Sequence, residues 1–599
     1  MRIVVCVKYV PALGAMRFDP ATRRLVREGV PGEVSAFDLR ALGCATALRA
    51  AHGGEVVALT MGPPAAREGL VECLALGADR ALHLLDAVLA GSDTLATARA
   101  LAAVLTREAP DIVLLGRAST DAETGQVGPE VAELLGLPQA TAARRLTIDP
   151  AARSFTAERE TDEGFETVVG PLPAVVTAAE DLAEERFPTK AERQAAAAKP
   201  IATVTAADVG LSAEDVGAAG SPTWVAGIEP VQVTRRGEVL TGDSPEALAR
   251  ALGERLRELL PHGRAEAPSL PPRGPGGGPA VWVVAEMGPR GPRPVTAELL
   301  AKAAELAAAL GGPVEAVVIG AGAAHAPLLA AAGADRVLVA EAPGLSPYTT
   351  DAHAAVLADA IRARGPRLVL LGSTARGRDL APRVAARLGL GLTGDAIDLD
   401  LDAEGRVRQH KPAFGGSIVA PILSHTRPEM ATVRPGILRA ARLDPARRAV
   451  VERLAVPEVP ARVRVLGEVP LPDAVGATLD AADVVIGVGR GIGGPAALPA
   501  IVALARSLGA ALAATRDVTD AGWLPKQHQV GLTGRAIAPR LYVALGIGGA
   551  PEHVVGLRRA GVIIAVNKNA KAPIFKTADV GIVSDYVPLL PLLGRALRV

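Results

Sequence analysis

A repeated set of turns constrains the fold of this chain more than any other feature of its sequence. Gly-Ala-Asp-Arg at residues 77–80 recurs at 333–336, and Leu-Leu-Gly at 114–116 recurs at 370–372, in both cases 256 residues further on. Repeats that stay in register over this distance indicate an internal duplication at the scale of a domain, because chance matches of common dipeptides would not remain aligned. We therefore predict two homologous domains.

Each repeat alternates short apolar segments with amphipathic ones. In the first repeat the pattern predicts strands at residues 3–7, 56–59 and 111–115, separated by helices at about 38–52 and 65–76. Strands and helices that alternate at this spacing are typical of a doubly wound parallel sheet. The predicted class is α/β, with two homologous doubly wound domains followed by a Rossmann-like domain.

Length and composition suggest where these domains begin and end. At 599 residues the chain is too long for one hydrophobic core. A tract rich in Pro and Gly lacks apolar periodicity and is typical of a linker, and an apolar segment at 281–284 begins directly after it. The predicted division is 1–262 for a first α/β domain with a C-terminal arm, 263–279 for the linker, 280–465 for a second α/β domain, and 466–599 for the third domain.

The third domain opens with a glycine-rich turn. Apolar residues 484–486 lead into Gly-x-Gly-x-x-Gly at 489–494, and a helix is predicted from about 495 to 508. Glycines let the backbone approach a pyrophosphate, whose charge is favoured at a helix N-terminus. The next predicted strand, at 510–514, ends in Thr-Arg at 515–516, where a nicotinamide site has an acidic residue. The turn predicts a nucleotide site and leaves the nucleotide open.

Charge and composition argue against several classes of protein. Lys plus Arg equals Asp plus Glu at 64 each, and aromatic residues make up only 2%, so neither a general field for polyanions nor a base-stacking surface is expected. The cysteines, Cys6, Cys44 and Cys73, form no C-x-x-C pair, which favours a reduced compartment. Without a signal-peptide pattern or 18 uninterrupted apolar residues, we expect a cytoplasmic protein with no stable membrane insertion and no nucleic-acid partner.

Two further patterns do not predict catalysis or metal binding. His325, His353 and His425 lack close spacing to carboxylates or cysteines, so no metal site is expected. One predicted helix carries three arginines, Arg376, Arg378 and Arg383, which are interpreted as a solvated helix face.

The order of the polar turns in the third domain resembles the FAD domain of the alpha subunit of electron-transfer flavoproteins. The resemblance implies that FAD is bound by Arg490, Gly491, Thr515, Arg516, Gln529, Val530, Gly531, Leu532, Thr533, Gly546, Gly548, Gly549, Ala550, His553, Asn567 and Asp585. It also implies that Arg516 lies against the isoalloxazine ring, that Thr533 bonds near N5, and that His553 donates toward a pyrimidine carbonyl. Gly548 replaces the serine that is usual in the family.

The rest of the chain resembles the same family. Residues 5–8, 35–38 and 121–129 are similar to the beta subunit, and 372–383 and 411–417 are similar to the first domain of the alpha subunit. The resemblance implies that the two subunits are fused, with beta first, and that the first half holds AMP. The residues implied for this second nucleotide are Cys6, Phe37, Asp38, Asp121, Thr124, Gly125, Gln126 and Val127.

Two questions about this second site stay open. The compact loop before Thr124 is closer to flavin-bifurcating members, which hold a second FAD in place of AMP. From the residues alone, the same loop is also typical of a polar cap to the apolar helix around 131–135.

The resemblance implies an electron carrier without a substrate of its own. Its FAD would accept electrons from an acyl-CoA dehydrogenase or another flavoprotein dehydrogenase and pass them to a quinone oxidoreductase or another redox protein. In the loop that recognises such partners, Lys190 stands near the position of a usual apolar anchor. Two other classes remain: an NADP-binding oxidoreductase in which Arg516 reads a 2′-phosphate, and a non-redox nucleotide-sensing scaffold.

Overall fold

The fold divides into two compact units. The computed structural model describes residues 1–12, 17–19, 24–26, 30–230, 235–260, 267–272, 276–288, 291–414, 416, 418–459, 461–470, 479, 482–531, 534–557 and 559–597. Unit 1 comprises residues 1–229, 267–412 and 420–470, and unit 2 comprises 230–266, 413–419 and 471–599. Among the described residues, no helix is both long and apolar enough to span a membrane.

The first α/β domain of unit 1 is built on a sheet of seven parallel strands that continues into an antiparallel extension. The parallel strands lie in the order Ile201–Val204, Arg80–Leu84, Glu55–Met61, Arg2–Cys6, Ile112–Gly116, Ala174–Ala178 and Gln139–Asp149. The antiparallel extension adds Ser154–Glu160, Gly164–Pro171 and Arg464–Pro470. The helices of at least seven residues in this domain are Ala36–His52, Arg67–Ala75, Thr94–Glu108, Val127–Leu134 and Lys190–Ala196.

The second α/β domain repeats this architecture. Its strands lie in the order Val450–Arg453, Arg336–Ala340, Val314–Ile319, Val281–Val284, Leu368–Gly372, Glu429–Val433 and Leu392–Ala396, and all neighbours are parallel. Its helices are Pro294–Leu310, Ala326–Ala331, Thr350–Arg364 and Ala375–Leu388. Numbered along the chain, the parallel strands of both domains follow one order, 7-3-2-1-4-6-5. The predicted pair of homologous doubly wound domains is therefore confirmed.

The central strands of both sheets are apolar on both faces. Ile3, Val4 and Val5 are fully buried, as are Val281, Trp282 and Val283 in the equivalent strand of the second domain. Such continuous apolar runs are typical of parallel strands covered by helices on both sides. Some helices begin at a side-chain cap: the Asp93 carboxylate accepts from Ala96 N at the start of Thr94–Glu108.

The two α/β domains exchange strands within unit 1. Thr223–Val225, from the first half of the chain, pairs with Ile418–Ser424 of the second, in a sheet that also contains Val407–Ala413 and Asp398–Leu401. Reciprocally, Arg464–Pro470 of the second half pairs with Gly164–Pro171 of the first. The predicted boundary at 465/466 falls within Arg464–Pro470.

The helix that carries the three arginines lies at the contact between the two domains. Arg383 is 1% exposed, with its guanidinium 2.9 Å from Glu133 and 3.0 Å from Asp351. The interpretation of these arginines as a solvated face is wrong for Arg383, because this side chain is buried. Its partner Glu133 belongs to the first α/β domain. Arg378 is about two-fifths exposed and pairs with Asp395.

Unit 2 is built on a sheet of six parallel strands. In order they are Glu238–Leu240, Val580–Val583, Val562–Asn567, Leu541–Leu545, Val484–Val488 and Ala511–Ala514. The first comes from the C-terminal arm of the first half, whose helix Pro245–Leu259 packs against Leu590–Ala596. The remaining five follow the doubly wound order 2-1-3-4-5 when numbered along the chain. Other helices of unit 2 are Leu498–Leu508, Arg516–Asp520 and Pro551–Val554.

The predicted linker has no regular secondary structure in its described part. Residues 267–272 and 276–279 contain no helix or strand. The carbonyl of Pro268 accepts a hydrogen bond from Arg442 N at 2.9 Å, and that of Pro271 accepts one from the Arg447 side chain. The described part of the tract is therefore attached to the second α/β domain.

Candidate functional site

The carboxyl ends of five parallel strands meet at one edge of unit 2. Val488 is level with Ala514 on one side and with Leu545 on the other, and Leu545 is level with Val566. The order 2-1-3-4-5 places a topological switch point between Val484–Val488 and Leu541–Leu545. Open parallel sheets bind ligands in the crevice at such a point.

Two glycine-rich turns pack directly against each other at this switch point. Gly491 N donates to the carbonyl of Gly546 at 3.0 Å. A β-carbon at Gly489 or Gly491 would lie 2.5 or 2.6 Å from that carbonyl oxygen. Gly546 has φ +63° and equally little room, since a β-carbon there would lie 2.6 Å from the Gly491 backbone. These glycines are required by the contact between the two turns.

Other glycines of the same turns face open space. A β-carbon at Gly493, Gly494 or Gly548 would meet no atom within 4 Å. The N–H groups of Gly494, Gly548 and Gly549 have no hydrogen-bond partner among the described residues. Free backbone donors beside open space at a switch point fit a pyrophosphate, so this edge fits a dinucleotide such as FAD. Arg490 and Ala550 are exposed in the same turns.

Arg516 follows the strand Ala511–Ala514, with Thr515 as the residue preceding its helix. Its Nε lies 3.2 Å from Asp520 Oδ2, one helical turn ahead, and its side chain is about two-fifths exposed. Partial burial opposes ionisation of Asp520, but Lys526 and Arg516 hold the pKa of this carboxyl below its ordinary value. Asp517 is the next residue in the sequence, but the helix turns Arg516 toward Asp520.

His553 is buried and uses both ring nitrogens within unit 2. Nδ1 lies 2.8 Å from the carbonyl of Val530, which can only accept, so Nδ1 carries the proton. Nε2 lies 3.1 Å from the Tyr542 hydroxyl and therefore accepts from it. Burial lowers the pKa of His553 to about 4, so the ring is neutral. To donate toward a pyrimidine carbonyl as predicted, His553 would have to exchange one of these bonds.

The segment after the second strand of this sheet returns to the strand end. Val530 N donates to Ala514 O at 3.0 Å, and Gln529 Oε1 accepts from Thr519 Oγ1 at 2.8 Å. Gly531, at φ +138°, lies against the backbone of Glu552. The predicted residues Leu532 and Thr533 lie outside the described residues.

Asn567 and Asp585 stand at the ends of the fourth and fifth strands. Asn567 Nδ2 donates to Ile547 O at 2.8 Å, which connects this strand end to the turn after Gly546. Asp585 lies 2.8 Å from Lys568, whose ammonium lowers the pKa of Asp585. The structure thus brings the predicted residues it describes to the turns and loops at one edge of unit 2.

The predicted residues of the first half also lie at a switch point, between Arg2–Cys6 and Ile112–Gly116. Asp38 is buried, and its carboxylate accepts from Lys8 N and from Gly116 N, each at 2.8 Å. Asp38 therefore bridges the two strand ends. Burial raises the pKa of Asp38 to about 7, against the two backbone donors that lower it. Cys6 is buried beside it, and burial raises the pKa of its thiol.

The loop at 121–127 is held at both ends. Lys8 Nζ lies 2.7 Å from Asp121 Oδ2; burial opposes ionisation of Asp121, but Lys8 keeps its pKa below the ordinary value. Gln126 is buried, and its side-chain amide donates to Leu392 O of the second α/β domain at 3.1 Å. It precedes the helix Val127–Leu134 without capping it through its side chain. Between Asp121 and Gln126, Thr124 is half-buried and Gly125 has φ +66°.

Several residues of these edges did not follow from the sequence patterns. Arg117 lies over the ring of Phe37, with 4.5 Å from its guanidinium carbon to the ring centroid. Lys8 pairs with Asp121, Lys568 with Asp585, and Tyr542 with His553. Arg117 and Lys568 directly follow the strands Ile112–Gly116 and Val562–Asn567, and Lys8 lies two residues after Arg2–Cys6. This position at a strand end is the signal that could have identified them.

The fold and the edge of unit 2 define a nucleotide-binding α/β protein. Comparison with protein families narrows this class. The electron transfer flavoprotein domain matches residues 22–209 and again 281–459, and the electron transfer flavoprotein FAD-binding domain matches residues 478–558. The chain belongs to the electron transfer flavoprotein family: it has two copies of the family's domain and its FAD-binding domain in one polypeptide, and it carries electrons on FAD.

Similar proteins are found in several bacteria. The electron transfer flavoprotein subunit alpha of Thermoanaerobacterium thermosaccharolyticum is 41% identical over 322 residues, which is 53% of this chain and 97% of that protein. Protein FixB of Clostridium saccharobutylicum is 39% identical over 317 residues, 52% of this chain and 94% of that protein. The acryloyl-CoA reductase electron transfer subunit beta of Anaerotignum propionicum is 37% identical over 299 residues, 44% of this chain and 81% of that protein.

Proposed function

We propose that FAD binds at the carboxyl edge of unit 2 and exchanges electrons with other redox proteins while the chain itself transforms no substrate. The observation that carries this proposal is the pair of interlocked turns at the switch point, with free N–H groups and open space beside them. FAD would supply the electron-accepting ring. The backbone N–H groups of Gly494, Gly548 and Gly549 would bind its pyrophosphate.

The charged residues of this edge have separate proposed roles. Arg516 would favour the reduced ring, because a guanidinium stays cationic at every physiological pH. Asn567 and Asp585 would hold the ribose and adenine portions, and Arg490 the phosphates. Lys568 lowers the pKa of Asp585, whose ionised carboxylate can accept hydrogen bonds from ribose hydroxyls.

We further propose that a second nucleotide binds at the switch point of the first α/β domain. Its support is the set of groups around the strand end: Cys6, Phe37 and Asp38, with the loop at 121–127 beside them. AMP is the first candidate, and a second FAD, as in flavin-bifurcating members, is the alternative. The beta-like half would then hold one nucleotide and the alpha-like half the other.

The electron donor and acceptor are proposed by class. The relative from Anaerotignum propionicum is named as an electron transfer subunit of acryloyl-CoA reductase. We propose a flavoprotein dehydrogenase such as an acyl-CoA dehydrogenase as donor, and a quinone oxidoreductase or another redox protein as acceptor. The cytoplasmic location stays a prediction from sequence.

A spectrum and a cofactor count test these proposals together. The purified chain is expected to absorb in the flavin region, and heat should release one FAD and one AMP per chain. Two FAD and no AMP would identify the alternative for the second site. A colourless protein that cannot be reconstituted with FAD but binds NADP would contradict the electron-carrier proposal.

A further inference from the structure

A cluster of three cations surrounds one buried carboxylate in the second α/β domain. Arg378 lies 3.1 Å and Arg434 Nε 3.0 Å from Asp395, which is 2% exposed. Lys411 is 7% exposed and also faces Asp395 electrostatically. We call Arg378, Asp395, Lys411 and Arg434 the Lys411 cluster. Its three positive charges exceed the single negative charge at its centre.

The ammonium of Lys411 has no hydrogen-bond partner among the described residues, although it is buried. Burial, with Arg434 and Arg378 nearby, lowers the pKa of Lys411 to about 8, against Asp395 and Glu123, which raise it. The hydroxyl of Thr393, two residues before Asp395, is likewise buried without a partner. Buried polar groups are normally hydrogen-bonded, and an unpaired buried cation is costly, so the Lys411 ammonium and the Thr393 hydroxyl are free to bind an acceptor.

The backbone around the cluster is shaped in an unusual way. Asp395 and Glu123 are non-glycine residues at φ +59° and +51°. The register of the strand Leu392–Ala396 shifts between Thr393 and Ala396, which is a bulge. Such bulges re-aim side chains and, like left-handed non-glycine residues, gather at functional sites.

The cluster adjoins the loop that is proposed to hold the second nucleotide. A β-carbon at Gly394 would lie 2.9 Å from both the Thr124 carbonyl oxygen and the Gln126 amide nitrogen, so this strand touches the loop. Glu123 belongs to the same loop, and its negative charge, like that of Asp395, raises the pKa of Lys411. Arg378 is about two-fifths exposed, so one donor of the cluster reaches the solvent.

We propose that the Lys411 cluster binds a phosphoryl oxyanion, with Lys411, Arg378 and Arg434 as donors. An ammonium with unused donors and two planar guanidinium groups match the several acceptor oxygens of a phosphate. The oxyanion comes either from the nucleotide at the 121–127 loop, in which case the inference rests on the proposed function, or from free inorganic phosphate. The second nucleotide site would then be shared by both halves of the chain.

The test compares three probes, AMP, adenosine and inorganic phosphate, by calorimetric titration. It uses the full, FAD-loaded chain after any bound AMP has been removed by dialysis. The wild-type chain is expected to bind AMP at least about tenfold more tightly than adenosine, as one charged hydrogen bond would provide. In Lys411→Met, AMP affinity should fall by about tenfold while adenosine affinity is unchanged. Lys576→Met, which removes an exposed lysine, is the matched control and should bind all probes as wild type does.

The outcomes separate the two sources. Loss of AMP affinity alone assigns the phosphate of the nucleotide, and loss of inorganic phosphate binding with AMP unchanged assigns free phosphate. The inference is overturned if Lys411→Met binds both as wild type does, or if the wild-type chain neither binds phosphate nor distinguishes AMP from adenosine. FAD content and the flavin spectrum report on the proposed function independently.

A stability measurement excludes misfolding as the cause. Because Lys411→Met removes a buried unpaired charge, its midpoint of thermal unfolding should rise while phosphate affinity falls. A variant with a lower midpoint and lost affinity for adenosine as well would contradict the specific role of Lys411.

Discussion

At the scale of the residue, glycines only two positions apart have opposite requirements. Gly546 combines a left-handed backbone with a contact to Gly491 that leaves no room for a side chain, whereas Gly548 faces open space. The Gly-x-Gly spacing predicted the turn, but it did not predict which glycine packs and which faces a ligand. That distinction depends on a second turn about 55 residues away in the sequence.

Gly546→Ala is expected to lower both the thermal midpoint and the FAD content. The left-handed conformation alone costs about 1–3 kcal/mol, and the clash with Gly491 adds to it. Gly548→Ala is the matched control and should fold as wild type does. Equal thermal midpoints for the two variants would show that the contact between the turns does not stabilise unit 2.

Arg516→Ala is expected to leave FAD bound and to lower its midpoint potential. The loss of about 1 kcal/mol, typical of a partly exposed charge interaction, corresponds to about 20 mV for a two-electron couple. A redox titration against reference dyes measures the shift. Arg506→Ala, an exposed arginine of the same unit, should leave the potential unchanged; an identical result for Arg516→Ala would remove Arg516 from the proposed flavin site.

Glu298 should make the wild-type chain less stable as pH rises. It is 8% exposed, and burial raises its pKa from 4.5 to about 7, although Gly436 N donates to it. A raised pKa stabilises the fold below the unfolded value of 4.5, and this contribution is lost as pH rises through 7. It amounts to about 3 kcal/mol.

Glu298→Gln keeps an acceptor for Gly436 and cannot ionise. Unfolding midpoints of both proteins from pH 4.5 to 8 should therefore diverge, with the variant gaining relative stability toward pH 8. Parallel curves over this range would mean that Glu298 titrates normally in the folded chain.

At the scale of the element, equivalent helices of the duplicated domains pack against each other. Val127–Leu134 and Ala375–Leu388 contact through Glu133, which lies within 3 Å of both Arg383 and Arg387. On the same helix Asp379 accepts from Gln139 and Thr141 of the first domain at 2.8 and 2.6 Å. The helix was predictable from its periodicity, but the burial of Arg383 was not, because its partner lies 250 residues away in the sequence.

Arg383→Met is expected to destabilise unit 1 by about 3 kcal/mol, the lower end of the range for breaking a buried ion pair. In this variant Glu133 still pairs with Arg387, and Asp351 still pairs with Arg462. These remaining ion pairs limit the loss of stability. Arg387→Met, at a partly exposed position, should cost less than about 1 kcal/mol. Denaturant unfolding of both variants checks this order, and a reversed order would place the main ion pair at Arg387.

At the scale of the whole molecule, the duplicated turns predicted two homologous domains, and the two domains have the same strand order. The sequence did not reveal the strand exchange of unit 1, because Thr223–Val225 and Arg464–Pro470 carry no pattern that names a partner. It also did not reveal that the arm of the first half completes the sheet of unit 2. Both features depend on pairing between segments more than 190 residues apart.

A split chain tests this arrangement. Residues 1–266 and 267–599, produced together as two polypeptides, are expected to copurify and to retain FAD. Shortening the first piece to 1–229 removes Glu238–Leu240 and Pro245–Leu259, which uncovers Val580–Val583 and the helix Leu590–Ala596. This pair should have a lower thermal midpoint and lower FAD content. Unchanged values would show that the arm contributes nothing to unit 2.

The arm strand is synthesised long before the strand with which it pairs. Glu238–Leu240 leaves the ribosome about 340 residues before its partner Val580–Val583. At 5–20 residues per second this interval lasts roughly 20–70 s. During that time the arm cannot pair with its sheet. It therefore stays accessible to chaperones and to other nascent chains. A ribosome that stalls before residue 580 would release a product whose first half is complete in sequence but whose arm has nothing to pair with.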